Sequence, residues 1–174
     1  MAIQAGTYKL GPSNASLHVQ TGRNGAAAKA GHDLTIDVQS WEATLEVGEN
    51  SSLALSADPT SLHVREGKGG MQPLKDDDKE DILKTIDKDV LEKKSITFQS
   101  TSVEQAGDGL KVTGDLEMAG KTKPVSFDLS ESDGTVTGSA AVKQSDWSIK
   151  PYSALFGALK VDDEVKVVVE AKVG

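Results

Sequence analysis

The chain has 174 residues, of which 37% are hydrophobic and 26% charged, with 17 Gly, 5 Pro and no Cys. That length suits one domain over residues 1–174, and the missing Cys excludes disulfides, thiolate nucleophiles and Cys-based zinc sites. The 27 acidic against 19 basic residues leave a net charge of −8 with no basic cluster, a poor match for phosphate backbones or anionic lipid surfaces.

Aromatics are only 4% of the chain, so the core must be aliphatic. No apolar run reaches the roughly 20 residues of a membrane helix. The start, Met1 to Tyr8, has no charged or apolar leader region and reads as cytoplasmic. A removed leader would instead make the protein periplasmic or secreted.

Alternation dominates the chain in order. Leu17 and Val19 share one face of a strand, and Leu34, Ile36 and Val38 share one face of the next. The pattern resumes one residue out of phase at Trp41, Ala43, Leu45 and Val47, which predicts a bulge near Gln39-Ser40. Strands at Leu53–Ala57 and Leu62–Val64 follow, around the turn residues Asp58-Pro59.

One stretch changes period. From about 75 to 92, Ile82, Ile86 and Val90 recur every four residues, with Leu83 and Leu91 widening the stripe. Asp76, Asp77 and Asp78 fall in the first turn and Lys93 and Lys94 at the last, which complements a helix dipole. This predicts one amphipathic helix between two blocks of strands.

Ile96 and Phe98 then alternate, followed by Val112 to Met118, Val125 to Leu129, Val136 to Val142 and Val165 to Val173. Gly107-Asp108-Gly109, Ala119-Gly120-Lys121 and Ser132-Asp133-Gly134 read as hairpin connections, so neighbouring strands are antiparallel. A short helical turn is expected near 153–157. About eight one-face-apolar strands make a sandwich or a closed barrel. The long bent strand from Leu34 to Val47 and inward-facing Gly114 and Gly138 favour the barrel.

Little in the chain points to catalysis or metal binding. His18, His32 and His63 lack ligand spacing, and His18 and His63 fall on the outer face of their strands. His32 stands beside Asp33, but adjacent strand residues point to opposite faces. Gly67-Lys68-Gly69-Gly70 lacks the spacing of a phosphate loop, and Asp76-Asp77-Asp78 lacks that of a Ca²⁺ loop. The segment from Gln144 to Leu159 holds Trp147, Tyr152 and Phe156, three of the chain's seven aromatics. It reads equally as a plug closing one end and as an apolar wall with polar tips.

The block Val112-Thr113-Gly114-Asp115-Leu116 through Gly120-Lys121-Thr122-Lys123-Pro124-Val125 resembles the YceI-like family. Gly6-Thr7-Tyr8-Lys9-Leu10, Ile96 to Val103, Ser145-Asp146-Trp147-Ser148-Ile149 and Asp162-Asp163-Glu164-Val165 fit it in the same order. The resemblance implies an all-β fold, a lipocalin-like barrel of eight antiparallel strands with a helical insertion, and polyisoprenoid binding inside it.

Few aromatics fill the inward faces, so the residues themselves favour a hollow. The expected function is non-catalytic binding, carriage or storage of a long apolar lipid, an isoprenoid or isoprenoid quinone. Trp41, Leu45, Phe98, Leu116, Phe127, Trp147, Phe156 and Val167 are expected on the barrel lining, with His32, Lys150 and Tyr152 at a polar mouth. No cofactor, metal or nucleic-acid partner is expected, and a homodimer stays open. Two alternatives stand beside this one: a His32-dependent hydrolase of a hydrophobic substrate, and a filled barrel acting through its surface.

Overall fold

The computed structural model describes residues 3–154 and 157–173. Seven strands precede the helix: β1 (Gly6–Leu10), β2 (Ala15–Gln20), β3 (Arg23–Asn24), β4 (Asp33–Val38), β5 (Trp41–Val47), β6 (Ser52–Ala57) and β7 (Leu62–Lys68). After helix α1 (Asp76–Thr85) and a π-helical turn, Ile86–Val90, come β8 (Ile96–Ala106), β9 (Gly109–Met118), β10 (Lys121–Ser132) and β11 (Thr135–Lys143). Next are β12 (Ser153–Ala154), β13 (Leu159–Val161) and β14 (Glu164–Lys172). Ser153 and Ala154 are therefore extended, which corrects the start of the helical turn expected there. Residues 155 and 156, in its middle, lie outside the described residues.

Eleven segments form one antiparallel sheet in the order β1-β5-β6-β8-β9-β10-β11-β14-β2-β4-β7. The pairings explain why this exceeds the expected eight. β1 and β2 pair in turn with β5 and β4, the register shifting by two residues at the bend, and β6 and β7 pair with the same two segments from the other side. Thus β1–β2, β4–β5 and β6–β7 are three long ribbons, each bent in its middle. Counting each as one strand gives eight, and β2 closes the ring by pairing with both β14 and β4.

The bends follow from local chemistry. Gln39-Ser40 is the corner between β4 and β5, where the buried phase passes from Ile36 and Val38 to Trp41, Ala43 and Leu45. The corner's backbone is satisfied by its neighbour ribbon: Gln39 N donates to Ser61 O at 3.0 Å and Ser40 N to Ser61 Oγ at 3.0 Å. A residue slips out of register at Arg65 in β7 and another at Thr101 in β8. Such bulges add the local twist that a closed wall needs.

Tight turns do the rest. Ala119 and Gly120 both take positive φ, 52° and 79°, as do Asp133 and Gly134, 52° and 77°. Two left-handed residues in a row match the twist of the flanking strands, so β9–β10 and β10–β11 are two-residue hairpins.

β7 pairs only with β4, while β8 pairs with β6 and β9. The wall therefore opens between β7 and β8, and α1, inserted there, packs against β7. Asp76, Asp77 and Asp78 occupy its first turn, and the Lys75 N–H donates to the Asp78 carboxylate at 3.0 Å. The regular helix ends at Thr85, short of the expected 92. Lys93 and Lys94 lie beyond it, with Glu92 and Lys93 left-handed and Lys94 paired to Glu92 at 2.8 Å. A spacing of four residues overshoots an α-helical turn by about 40° per step. The wider turn at Ile86–Val90 absorbs that drift and keeps the stripe on one side.

The main core gathers Leu10, Leu17, Trp41, Leu45, Leu53, Phe98, Leu110, Val112 and Leu129 between the ribbons. A second cluster, Val142, Trp147 and Ile149, closes the end beside β9 and β14. Among the described residues no helix is long and apolar enough to cross a membrane.

Candidate functional site

The inward faces of the ribbons enclose a cavity of about 430 Å³. An engineered apolar cavity of about 150 Å³ already admits benzene, so this hollow is of ligand size. Its walls explain a pattern in the strands. Val125 and Phe127 on β10, and Val165, Val167 and Val169 on β14, point inward yet stay only half-buried. Their remaining accessible surface faces the hollow.

Phe98 on β8 and Phe127 on β10 meet with ring centroids 5.6 Å apart and planes tilted by 54°. Leu116 on β9, paired opposite Phe98, lies on the strand between them and lines the same space. Gly114 makes this shelf fit, since a Cβ there would run into the Gln99 carbonyl and the Phe98 ring. Gly138 lines the cavity, as its inward phase predicts.

Of the expected lining residues, Trp41, Leu45, Phe98, Leu116, Phe127 and Val167 do border the cavity. Trp147 does not. It is buried in the second cluster, and its indole N–H donates to the Leu116 carbonyl at 2.9 Å, so it is an end plug. Phe156 lies outside the described residues. The Trp41 indole N–H is buried without a hydrogen-bond partner, which matters for stability below.

The helix completes the enclosure. Ile82, Ile86, Val90 and Leu91 line the cavity, with Asp81 and Thr85 on the same side. The four-residue spacing made this stripe legible in the sequence, but not the surface it covers. Asp81 and Tyr152 line the cavity although they are exposed, so they mark its mouth. Tyr152 is held by its backbone carbonyl, which accepts from Val161 N at 2.9 Å.

Lys150 and His32, expected beside Tyr152 at the mouth, are absent from the cavity wall. Lys150 is exposed because it alternates with buried Ile149. His32 is turned toward the β7–α1 connection, with its Nε2 at 2.6 Å from the Gln72 carbonyl, and a Cβ at Gly70 would overlap its ring. Asp33, on the opposite face of the strand, pairs with Arg23 at 3.6 Å instead. The His-carboxylate arrangement that a hydrolase would need is therefore not assembled here.

Charged groups cluster on the outer surface. Arg65, at the bulge, makes a bidentate pair with Asp37, one bond of 3.0 Å through Nε and a second through Nη2. Partial burial, reinforced by the Arg65 guanidinium, holds the His18 imidazole below its ordinary value, against the opposing pull of Asp37 and Glu170. Asp163 is held below the usual carboxylate range by hydrogen bonds from the Ser145 side chain and backbone. Neither site faces the cavity. Among the described residues no group of His, Asp or Glu is arranged to hold a metal ion.

Comparisons with known proteins agree with this geometry. The sequence profile of the YceI-like domain matches residues 8–173. The fold is similar to that of BcnA from Burkholderia cenocepacia, with a TM-score of 0.65 and 17% identity over 90% of this chain and 94% of that one. It is also similar to the YceI protein of Campylobacter jejuni, with a TM-score of 0.57 and 13% identity over 79% of this chain and 82% of that one. Among curated protein sequences none matches the chain.

Proposed function

Because the chain belongs to the YceI-like family, we propose that its barrel binds a long apolar lipid, of the isoprenoid or isoprenoid-quinone class, and carries or stores it unchanged. The observation that carries this reading is the 430 Å³ hollow, walled almost wholly by Leu, Ile, Val, Ala and Phe side chains. Such a wall selects by shape and apolarity, not by directed bonds. Each buried CH₂ contributes about 0.8 kcal/mol, so ten contribute about 8 kcal/mol. That corresponds to roughly micromolar binding before the cost of ordering the tail is subtracted.

The hollow also argues against a barrel filled by its own side chains. Against hydrolysis stands the position of His32, away from the cavity and engaged with the Gln72 carbonyl. The reading needs no proton transfer and no nucleophile, only an enclosed oily space and a way in.

The test is extraction of natively purified protein with organic solvent, followed by mass spectrometry and by uptake of added prenyl lipid into the extracted protein. One long-chain lipid per chain, taken up again after removal, is the expected result. An extract that is always lipid-free, with no uptake, overturns the proposal.

A further inference from the structure

Building on that lipid-binding reading, and narrowing it to an isoprenoid alcohol or similar donor head over an oxidised quinone, whose carbonyls only accept, we propose that the cavity takes lipids whose head is uncharged and donates a hydrogen bond, and rejects the same tail with a carboxylate or phosphate head. Asp81 is the residue that discriminates.

The inference starts from the composition of the lining. Among the described residues Asp81 is the one ionisable acid or base on it apart from the Tyr152 phenol, and no Lys or Arg borders the cavity. Asp81 is exposed and lies at the mouth, where the head of a lipid with its tail inside must sit. One turn further along α1, Thr85 shares that face, and its Oγ1 already donates to the Asp81 backbone carbonyl at 3.0 Å. The Thr85 hydroxyl thus turns its remaining capacity, as an acceptor, to other groups, and the Asp81 carboxylate can only accept. Gln144, also on the lining, spends one amide N–H on the Asp162 carbonyl at 3.0 Å and keeps its oxygen as an acceptor and its second N–H as a neutral donor.

The same helix turns its cations elsewhere. Lys84 and Lys88 border a separate exterior groove with Asp87, Glu92 and Lys93. The segment from Asp76 to Val90 carries seven acidic residues against three lysines, on a chain already at −8. An anionic head at this mouth meets a carboxylate beside an apolar wall, where screening is weaker than in bulk water, and finds no cation on the lining to pair with. An alcohol or amide head instead gains a charge-assisted hydrogen bond to Asp81. The tail is recognised by the hollow and the head by the sign of its charge.

The experiment compares geranylgeraniol with geranylgeranyl diphosphate, two ligands with one tail, by calorimetric titration of the delipidated wild type, Asp81→Asn and Asp81→Lys. Asp81 is exposed on the helix, so the variants should keep the wild-type circular dichroism spectrum. At low salt the wild type should bind the alcohol at least about tenfold more tightly than the diphosphate. High salt should narrow that ratio, Asp81→Asn should reduce it, and Asp81→Lys should bring the diphosphate level with the alcohol or ahead of it. Equal wild-type affinity for both ligands overturns the head-group proposal and leaves lipid binding standing. A ratio that persists in Asp81→Lys overturns the role of Asp81. Failure of both ligands to bind the wild type overturns the lipid reading itself, and this proposal with it.

Discussion

The Trp147 indole N–H donates to the Leu116 carbonyl at 2.9 Å, which ties the turn after β11 to the C-terminal end of β9. Trp41, the other tryptophan, has its indole N–H buried with no partner. Replacing each with Phe separates the two situations. Trp147→Phe removes a hydrogen bond and leaves a small void, and should cost about 2 kcal/mol. Trp41→Phe also loses volume but removes an unsatisfied donor, so it should cost less than about 1 kcal/mol. Urea denaturation of the two variants checks the order; equal losses contradict it.

Gly114 gives a second prediction. A methyl group there meets the Gln99 carbonyl and the Phe98 ring, so Gly114→Ala should destabilise by about 1–3 kcal/mol. Gly48 has open space around its Cβ position, and Gly48→Ala should be neutral or stabilise by about 0.4–1 kcal/mol. Melting temperatures of the pair test whether the shelf of Phe98, Leu116 and Phe127 is as tightly seated as described.

His18 makes stability depend on pH in a stated direction. The unfolded chain protonates this imidazole near its ordinary 6.5, and the folded chain only at lower pH. Over that interval the unfolded state binds more protons, so stability falls as pH drops through 6.5 and levels off below the folded value. The contribution is small, because the ring is only partly buried. His18→Gln should lose less stability than the wild type between about pH 7.5 and about pH 5. Identical losses in the two proteins contradict the assignment.

His32 serves the connection between β7 and α1, through the Gln72 carbonyl. His32→Ala should therefore lower the melting temperature by loosening that connection. Uptake of a prenyl alcohol should stay within about twofold of wild type, since a twofold change is well under the 1.4 kcal/mol of a tenfold one. Loss of uptake with an unchanged melting temperature would place His32 in the binding machinery.

Much of the architecture was legible from period alone. The phase change between Val38 and Trp41 located the Gln39-Ser40 corner, because a one-residue slip turns a whole strand inside out. The eleven segments of the sheet were not legible, since each bent ribbon reads as one or two apolar runs; the expected eight is reached only when each ribbon is counted as a single strand. Hidden from the sequence was what the helix stripe covers. Ile82, Ile86 and Val90 are equally periodic whether they pack on a sheet or roof a hollow. Trp147 shows the converse limit. An aromatic beside a strand end can line a cavity or seal it, and only the partner of its N–H, Leu116, decides. His32 looked like a mouth residue because it opens a strand; the Gln72 carbonyl that captures it is 40 positions away.

The central claim is an apolar hollow that holds a lipid tail. A crystal structure of the delipidated protein soaked with a long-chain alcohol brominated at its tail end tests it directly. The account predicts an anomalous bromine peak inside the barrel, among Phe98, Leu116 and Phe127, with the hydroxyl toward Asp81. Bromine confined to the outer surface, with the interior occupied by ordered water or collapsed side chains, contradicts it.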